Sequence, residues 1–70
     1  MLVKLSKVEK DIVDEFCALA YERGWTIRHA ARELNTDHGY YSRVANQQKR
    51  PSIKLLQAML QVMRKYRSTE

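Results

Sequence analysis

Residues 26–52 read TIRHAARELNTDHGYYSRVANQQKRPS, and this stretch decides the fold. It opens on Thr26, a residue type that caps the N-terminus of a helix well. Four apolar side chains then fall on one face of a helix at about 100° per residue: Ile27, Ala30, Ala31 and Leu34. Asn35 follows, and asparagine adopts a left-handed backbone at low cost. The stretch therefore begins with a short helix and a tight turn.

A second helix is predicted directly after the turn, over about His38 to Asn46, with Asp37 as its N-cap. Its apolar face carries Tyr41, Val44 and Ala45. The opposite face is small and polar, and we refer to its five residues as the recognition flank: His38, Gly39, Ser42, Arg43 and Asn46. An apolar back and a hydrogen-bonding front suit a helix that is seated on a core and presented to base edges in DNA.

A longer helix is predicted before this unit, at about residues 7–23. Ser6 and Glu9 stand as S-x-x-E, the pattern of a capping box, and Gly24 supplies the usual end. One apolar stripe is expected to face the core: Val8, Ile12, Phe16, Leu19 and Ala20. Residues before it, Leu2, Val3 and Leu5, are interpreted as an arm, a frayed end or part of an interface between two copies.

After a polar, basic loop at 47–50, Pro51 and Ser52 introduce a last helix at roughly Ile53 to Tyr66. Its apolar stripe is Leu56, Met59, Leu60 and Met63. Three further apolar side chains widen this face beyond the width usual for a surface helix, and we interpret them as packing on the first helix or as a candidate dimer surface: Leu55, Val62 and Tyr66.

Length and composition exclude several classes of protein. Seventy residues allow one domain, so residues 1–70 are assigned to a single domain. Cys17 is the only cysteine, no Cys/His spacing is typical of zinc, and no apolar run is as long as a membrane span. We therefore expect a reduced, cytoplasmic protein with no metal site, no cofactor and no small-molecule ligand.

The net charge of +5 is unevenly distributed. Residues 1–24 carry four basic and five acidic side chains, whereas residues 25–70 carry nine basic and three acidic ones. The positive field therefore coincides with the two central helices, as an anionic partner would require. A solvated basic surface that only maintains solubility is the alternative interpretation.

The same stretch resembles the phage-repressor or Cro-type (Xre-like) helix-turn-helix family. The family pattern runs roughly T-Q-x-E-L-A-x-x-L-G-V-S-x-x-Y-I-S-R-I-E-N-G, followed by a basic loop and P-S. Identical residues occur in register at nine positions: Thr26, Ala31, Leu34, Tyr40, Ser42, Arg43, Asn46, Pro51 and Ser52. Two departures are Ile27 in place of the family's glutamine and Gln47 in place of its helix-ending glycine. The resemblance implies an all-α, compact, four- to five-helix lambda-repressor-like domain, with the helix-turn-helix core at about 26–47.

Site residues follow from the helix faces together with this resemblance. Base contacts are expected from His38, Gly39, Ser42 and Arg43, of which Gly39 has no side chain to read a base. Phosphate contacts are expected from residues near the ends of the helices and in the basic loop: Thr26, Arg28, Tyr40, Asn46, Lys49, Arg50 and Lys54. For Tyr40, a phosphate contact and a packing role remain equally open.

The resemblance implies a sequence-specific, double-stranded-DNA-binding transcriptional regulator. In this interpretation it is a Cro-like repressor, a homodimer that acts by occupying a palindromic operator. Two alternatives remain open: a protein-interaction module on the same fold, such as an antitoxin or accessory subunit, and a non-specific DNA binder. No nucleophile is paired with a base, and no glycine-rich loop cradles a phosphate, so we do not expect an enzyme.

Overall fold

The computed structural model describes residues 4–67, which form four helices: α1 (Lys7–Glu22), α2 (Ile27–Glu33), α3 (His38–Ala45) and α4 (Ile53–Arg67). No strand occurs in this part of the chain. The all-α prediction is therefore confirmed, with the lower of the two predicted numbers of helices. The predicted C-terminal ends of α1, α3 and α4 each differ from the observed ends by one residue.

Side chains placed just before each helix fix where it starts. Ser6 Oγ accepts a hydrogen bond from the Glu9 N–H at 3.2 Å, and Glu9 Oε1 accepts one from the Ser6 N–H at 3.1 Å, which confirms the predicted capping box. The hydrogen bond that the Glu9 carboxylate accepts from the Ser6 N–H, and after it the Ser6 hydroxyl, lower the pKa of the Glu9 carboxyl. Thr26 and Asp37 each accept a hydrogen bond from the backbone N–H three residues later at 3.1 Å.

The first three helices all end in the same left-handed turn. Gly24, Asn35 and Gln47 adopt φ values of +68°, +54° and +61°. In each case the N–H of the next residue bonds to the carbonyl five residues before it, at 2.7–3.0 Å, which is the Schellman arrangement. A glycine is therefore not needed to end α3, although Gln47 adopts a backbone conformation that costs a non-glycine residue about 1–2 kcal/mol.

Replacing Gln47 with glycine is expected to raise the free energy of unfolding by about 1 kcal/mol, because relief of the left-handed backbone outweighs the extra chain entropy of glycine. The midpoint of thermal unfolding, followed by circular dichroism, would rise by several degrees. Asn35→Gly is the matched control and should gain less, since asparagine tolerates this conformation better. An unchanged or lower midpoint for Gln47→Gly would contradict this explanation.

The core lies where α1 packs against α3 and α4. Phe16, Val44 and Met59 are its most completely buried large side chains. The Phe16 ring meets the Tyr41 ring edge-on, with 5.9 Å between centroids, and so joins α1 to α3. α2 is attached mainly through α3, and the small side chains of Ala30 and Ala31 form its buried face.

Four details of the predicted core faces were wrong. Val8 is 68% exposed, whereas Val13, which was not assigned to the stripe, is 2% exposed. On a helical wheel Val13 lies about 60° from Phe16 and Val8 about 80°, at the edge of the face. Ile27 and Leu60 were also expected on core faces but are 48% and 45% exposed. Val8, Ile27 and Leu60 therefore lie at the margins of apolar faces, and other helices cover only the centres of those faces.

Candidate nucleic-acid interface

The recognition flank lies on the surface of α3. Tyr41 and Val44 anchor the other side of this helix in the core, at 4% and 0% exposure. Of the flank, His38, Arg43 and Asn46 are exposed, and Gly39 and Ser42 are partly exposed. The four residues predicted to contact bases therefore share one accessible side of a helix held by buried side chains.

Asn46 has a structural role at the end of α3. Its Nδ2 donates a hydrogen bond to the Ser42 carbonyl at 2.9 Å, and its backbone N–H donates to the same carbonyl at 3.0 Å. The side chain thereby caps the C-terminal end of the helix. Asn46 is nevertheless exposed to solvent.

Tyr40 connects α3 to the beginning of α4. Its hydroxyl oxygen accepts a hydrogen bond from the Ser52 N–H at 2.9 Å, and Lys49 Nζ lies 5.2 Å from the centroid of its ring. Ser52 in turn caps α4, since its Oγ accepts a hydrogen bond from the Leu55 N–H at 3.1 Å. Of the two roles left open by the sequence, the structure displays the packing role.

Tyr40→Phe is expected to lower the free energy of unfolding by about 1 kcal/mol, because the Ser52 N–H loses its acceptor while the ring and its contact with Lys49 remain. Urea denaturation of the two proteins, compared at equal temperature and salt, measures the difference. A hydroxyl that served only DNA would leave unfolding unchanged and reduce only the affinity for a duplex. That result would contradict the packing role.

Arg50 is held by the protein itself. Its Nε lies 3.6 Å from Glu9 Oε2, and its Nη2 donates a hydrogen bond to the Lys4 carbonyl at 3.2 Å. The basic loop is thus fastened to the N-terminal end of α1, through the same carboxylate that completes the capping box. The predicted phosphate contact of Arg50 would have to compete with these two partners.

The other candidate phosphate contacts are solvent-exposed side chains at helix starts. Thr26 and Arg28 lie at the beginning of α2, and Lys54 lies in the first turn of α4. With Lys49, they belong to the segments that precede and follow α3 in the chain, and all four are exposed to solvent.

The residues predicted as a candidate dimer surface pack within the monomer instead. Leu55 and Val62 are 4% and 9% exposed and belong to the core of the monomer. Tyr66 is half-buried, and its ring packs edge-on against Trp25 at 5.0 Å. The wide apolar face of α4 is therefore used within the chain, while Ile53 and Leu60 remain 75% and 45% exposed. Leu2 and Val3 lie outside the described residues.

Sequence reasoning missed a cluster that fastens α2 to the end of α4. The Trp25 and His29 rings are stacked at 4.9 Å, and His29 Nε2 lies 3.5 Å from Glu33 Oε2. Glu33 Oε1 accepts a hydrogen bond from the Tyr66 hydroxyl at 2.8 Å, and this bond raises the pKa of Tyr66. The four-residue spacings from Trp25 to His29 and from His29 to Glu33 were the only signal available, because Tyr66 is 33 positions from Glu33.

Cys17 is half-buried, with its Sγ 3.8 Å from the Tyr41 hydroxyl. Burial raises the pKa of both groups, so the thiol stays protonated and poorly nucleophilic at neutral pH. Within residues 4–67, no three His, Cys, Asp or Glu side chains gather as a metal site. Over the same range, no helix has the length and apolar character needed to cross a bilayer.

Comparison with known proteins gives one match. A family model described as helix-turn-helix, of the Xre/Cro-like type, matches residues 18–68, which is more than half of the chain. The matched range begins within α1 and includes all of α2, α3 and α4. Neither the curated proteins nor the solved structures include a match.

Proposed function

The chain belongs to this Xre/Cro-like helix-turn-helix family, as its resemblance predicted, and from that premise we propose that it is a sequence-specific regulator of transcription. The family is one of DNA-binding regulators and is not typically enzymatic. The observation that carries the proposal is the recognition flank, a set of small and polar side chains exposed on a helix whose other side is fixed in the core. Such a helix fits the major groove of B-DNA, which is about 12 Å wide.

The proposed base contacts follow from the chemistry of the flank. The Arg43 guanidinium can donate two parallel hydrogen bonds to O6 and N7 of one guanine, which is the commonest specific contact in protein–DNA complexes. His38 and Ser42 can donate or accept at neighbouring base edges. Gly39 lies between them and, with no side chain, allows the backbone of α3 to approach the groove closely.

Phosphate contacts would hold this helix in register without reading sequence. We assign them to five exposed residues: Thr26, Arg28, Lys49, Lys54 and Asn46. Tyr40 and Arg50 contribute first by fixing the loop between α3 and α4, and a phosphate would be a second partner for each.

The finer mechanism is repression by occupancy. Two copies on a two-fold operator would place their α3 helices in successive major grooves, about 34 Å apart, and exclude polymerase from the same DNA. A palindromic operator, homodimeric binding and a cytoplasmic location stay predictions from the sequence. A protein-interaction role on this fold is the second candidate, favoured by Ile53 and Leu60, which are exposed seven residues apart on one side of α4.

The proposal is tested by selecting bound duplexes from a random pool and then measuring the affinity for the selected duplex at increasing salt concentration. We expect a selected sequence with two-fold symmetry and an affinity that falls steeply with salt, as phosphate neutralisation requires. Equal affinity for selected and random duplexes would indicate a non-specific binder. No measurable duplex binding at low salt would overturn the proposal in favour of the protein-interaction role.

A further inference from the structure

A second basic feature adjoins the recognition flank. The exposed side of α2 and the beginning of α3 enclose an open concavity of about 510 Å³. Seven residues line it: Arg28, Ala31, Arg32, Asn35, Thr36, Asp37 and His38. His38 belongs to both the concavity and the recognition flank, so the two surfaces are continuous. Arg32 is the one arginine of α2 without a role predicted from the sequence.

Three arginines contact other side chains of the protein. Arg50 and Arg67 lie within 3.7 Å of carboxylate oxygens of α1, and Arg23 stacks on the Tyr66 ring. Among residues 4–67, Arg28, Arg32, Arg43 and Arg64 have no carboxylate within the 4.0 Å of an ion pair. Of these four, Arg28 and Arg32 line the concavity. Their charges lie four residues apart on one helix and repel each other. An anion in the concavity would relieve this repulsion.

The one acid in the concavity is occupied. Asp37 Oδ2 accepts a hydrogen bond from the Tyr40 N–H at 3.1 Å, as the N-cap of α3, and this bond holds the carboxylate at the start of that helix. The positive charge of two guanidiniums in the concavity therefore exceeds the negative charge of its one carboxylate. The Thr36 hydroxyl, the Asn35 amide and the His38 imidazole add further hydrogen-bonding groups around the same space.

We infer that Arg28 and Arg32 form a binding site for one phosphate group beside the base-contacting His38, and that Arg32 is a positioning residue for DNA. This inference rests on the proposed function, in which the phosphate belongs to the DNA backbone beside the groove that α3 reads. Guanidinium groups suit this ligand because they donate paired, charge-assisted hydrogen bonds to phosphate oxygens. A free phosphate ion has the same chemistry and is the alternative source.

Two substitutions with opposite expected effects test the site. Arg32→Gln should lower the affinity for selected and random duplexes alike, about fivefold to tenfold at 0.1 M salt, and reduce the salt slope by about one. Asp37→Asn keeps a good N-cap but removes the negative charge, and should raise both affinities about threefold. Arg64→Gln, the same charge change on an exposed residue of α4, should leave the salt slope unchanged.

Titration of wild-type protein with inorganic phosphate, followed by NMR of the Arg28 and Arg32 side chains, separates the two sources of ligand. Shifts that disappear in Arg32→Gln support the site. If wild type binds duplex DNA while Arg32→Gln and Arg64→Gln behave alike, the inference is overturned and the proposed function stands. If wild type binds no duplex, the proposed function fails, and an absence of phosphate shifts would then overturn the site as well. Phosphate shifts without any duplex effect of Arg32→Gln would overturn its role in DNA binding.

Discussion

Phe16→Ala is expected to lower the free energy of unfolding by about 3–5 kcal/mol, the range for deletion of a buried aromatic ring. Phe16 is fully buried, lies edge-on to Tyr41 at 5.9 Å and lies 6.3 Å from the Trp25 ring. The ring thus joins α1 to α3 and to the segment before α2. A 70-residue chain with one cysteine has little stability to lose, so the variant should be largely unfolded at room temperature.

Urea denaturation followed by fluorescence of Trp25, the only tryptophan, measures this effect. Tyr21→Ala is the matched control because Tyr21 is also an aromatic residue of α1 but is 87% exposed. Its substitution should change the unfolding free energy by less than about 0.5 kcal/mol. A cooperative Phe16→Ala transition within about 1 kcal/mol of wild type would show that the ring does not hold the core together.

Arg43→Ala is expected to weaken binding to a selected duplex by about 1–3 kcal/mol, which is about 5-fold to 150-fold, with a much smaller loss on random duplexes. The difference arises because a guanine contact contributes only where guanine is present, whereas a phosphate contact contributes on every sequence. Arg43 is exposed in the last turn of α3, so its removal should leave the fold intact.

Arg43→Lys separates charge from geometry in the same experiment. Lysine keeps the positive charge but lacks the planar pair of donors, so it should retain binding to random duplexes and lose most of the preference for the selected one. Affinities measured on both duplexes at one salt concentration give the ratio directly. Equal losses on both duplexes for Arg43→Ala would place Arg43 on a phosphate and remove it from base recognition.

The four helices could be predicted from sequence because their boundaries depend on local interactions. The Ser6–Glu9 capping box, the caps at Thr26 and Asp37, and the left-handed turn at Asn35 all join groups within five residues of each other. Such contacts depend on residue type and spacing, and little else. The family could be predicted for a related reason, since its pattern lies within one uninterrupted stretch.

Which side chains of a helix are buried and which are exposed could not be predicted in the same way. Helical periodicity defines an apolar face but does not determine which part of it another helix will cover. Val13 is therefore buried and Val8 exposed. For the same reason Leu55, Val62 and Tyr66 appeared available to a second copy, although α4 uses them within its own chain.

By itself the sequence determined the helix starts and ends, the helix-turn-helix core and a polar front on α3, because each is a property of neighbouring residues. The tertiary structure alone decided three contacts. Arg50 forms an ion pair with Glu9, the Tyr40 hydroxyl accepts a hydrogen bond from the Ser52 N–H, and Arg28 and Arg32 share a concavity with His38. These contacts join separate segments, up to 41 positions apart for Arg50 and Glu9. They exist only once the packing of Phe16, Val44 and Met59 has set the helices at fixed positions relative to one another.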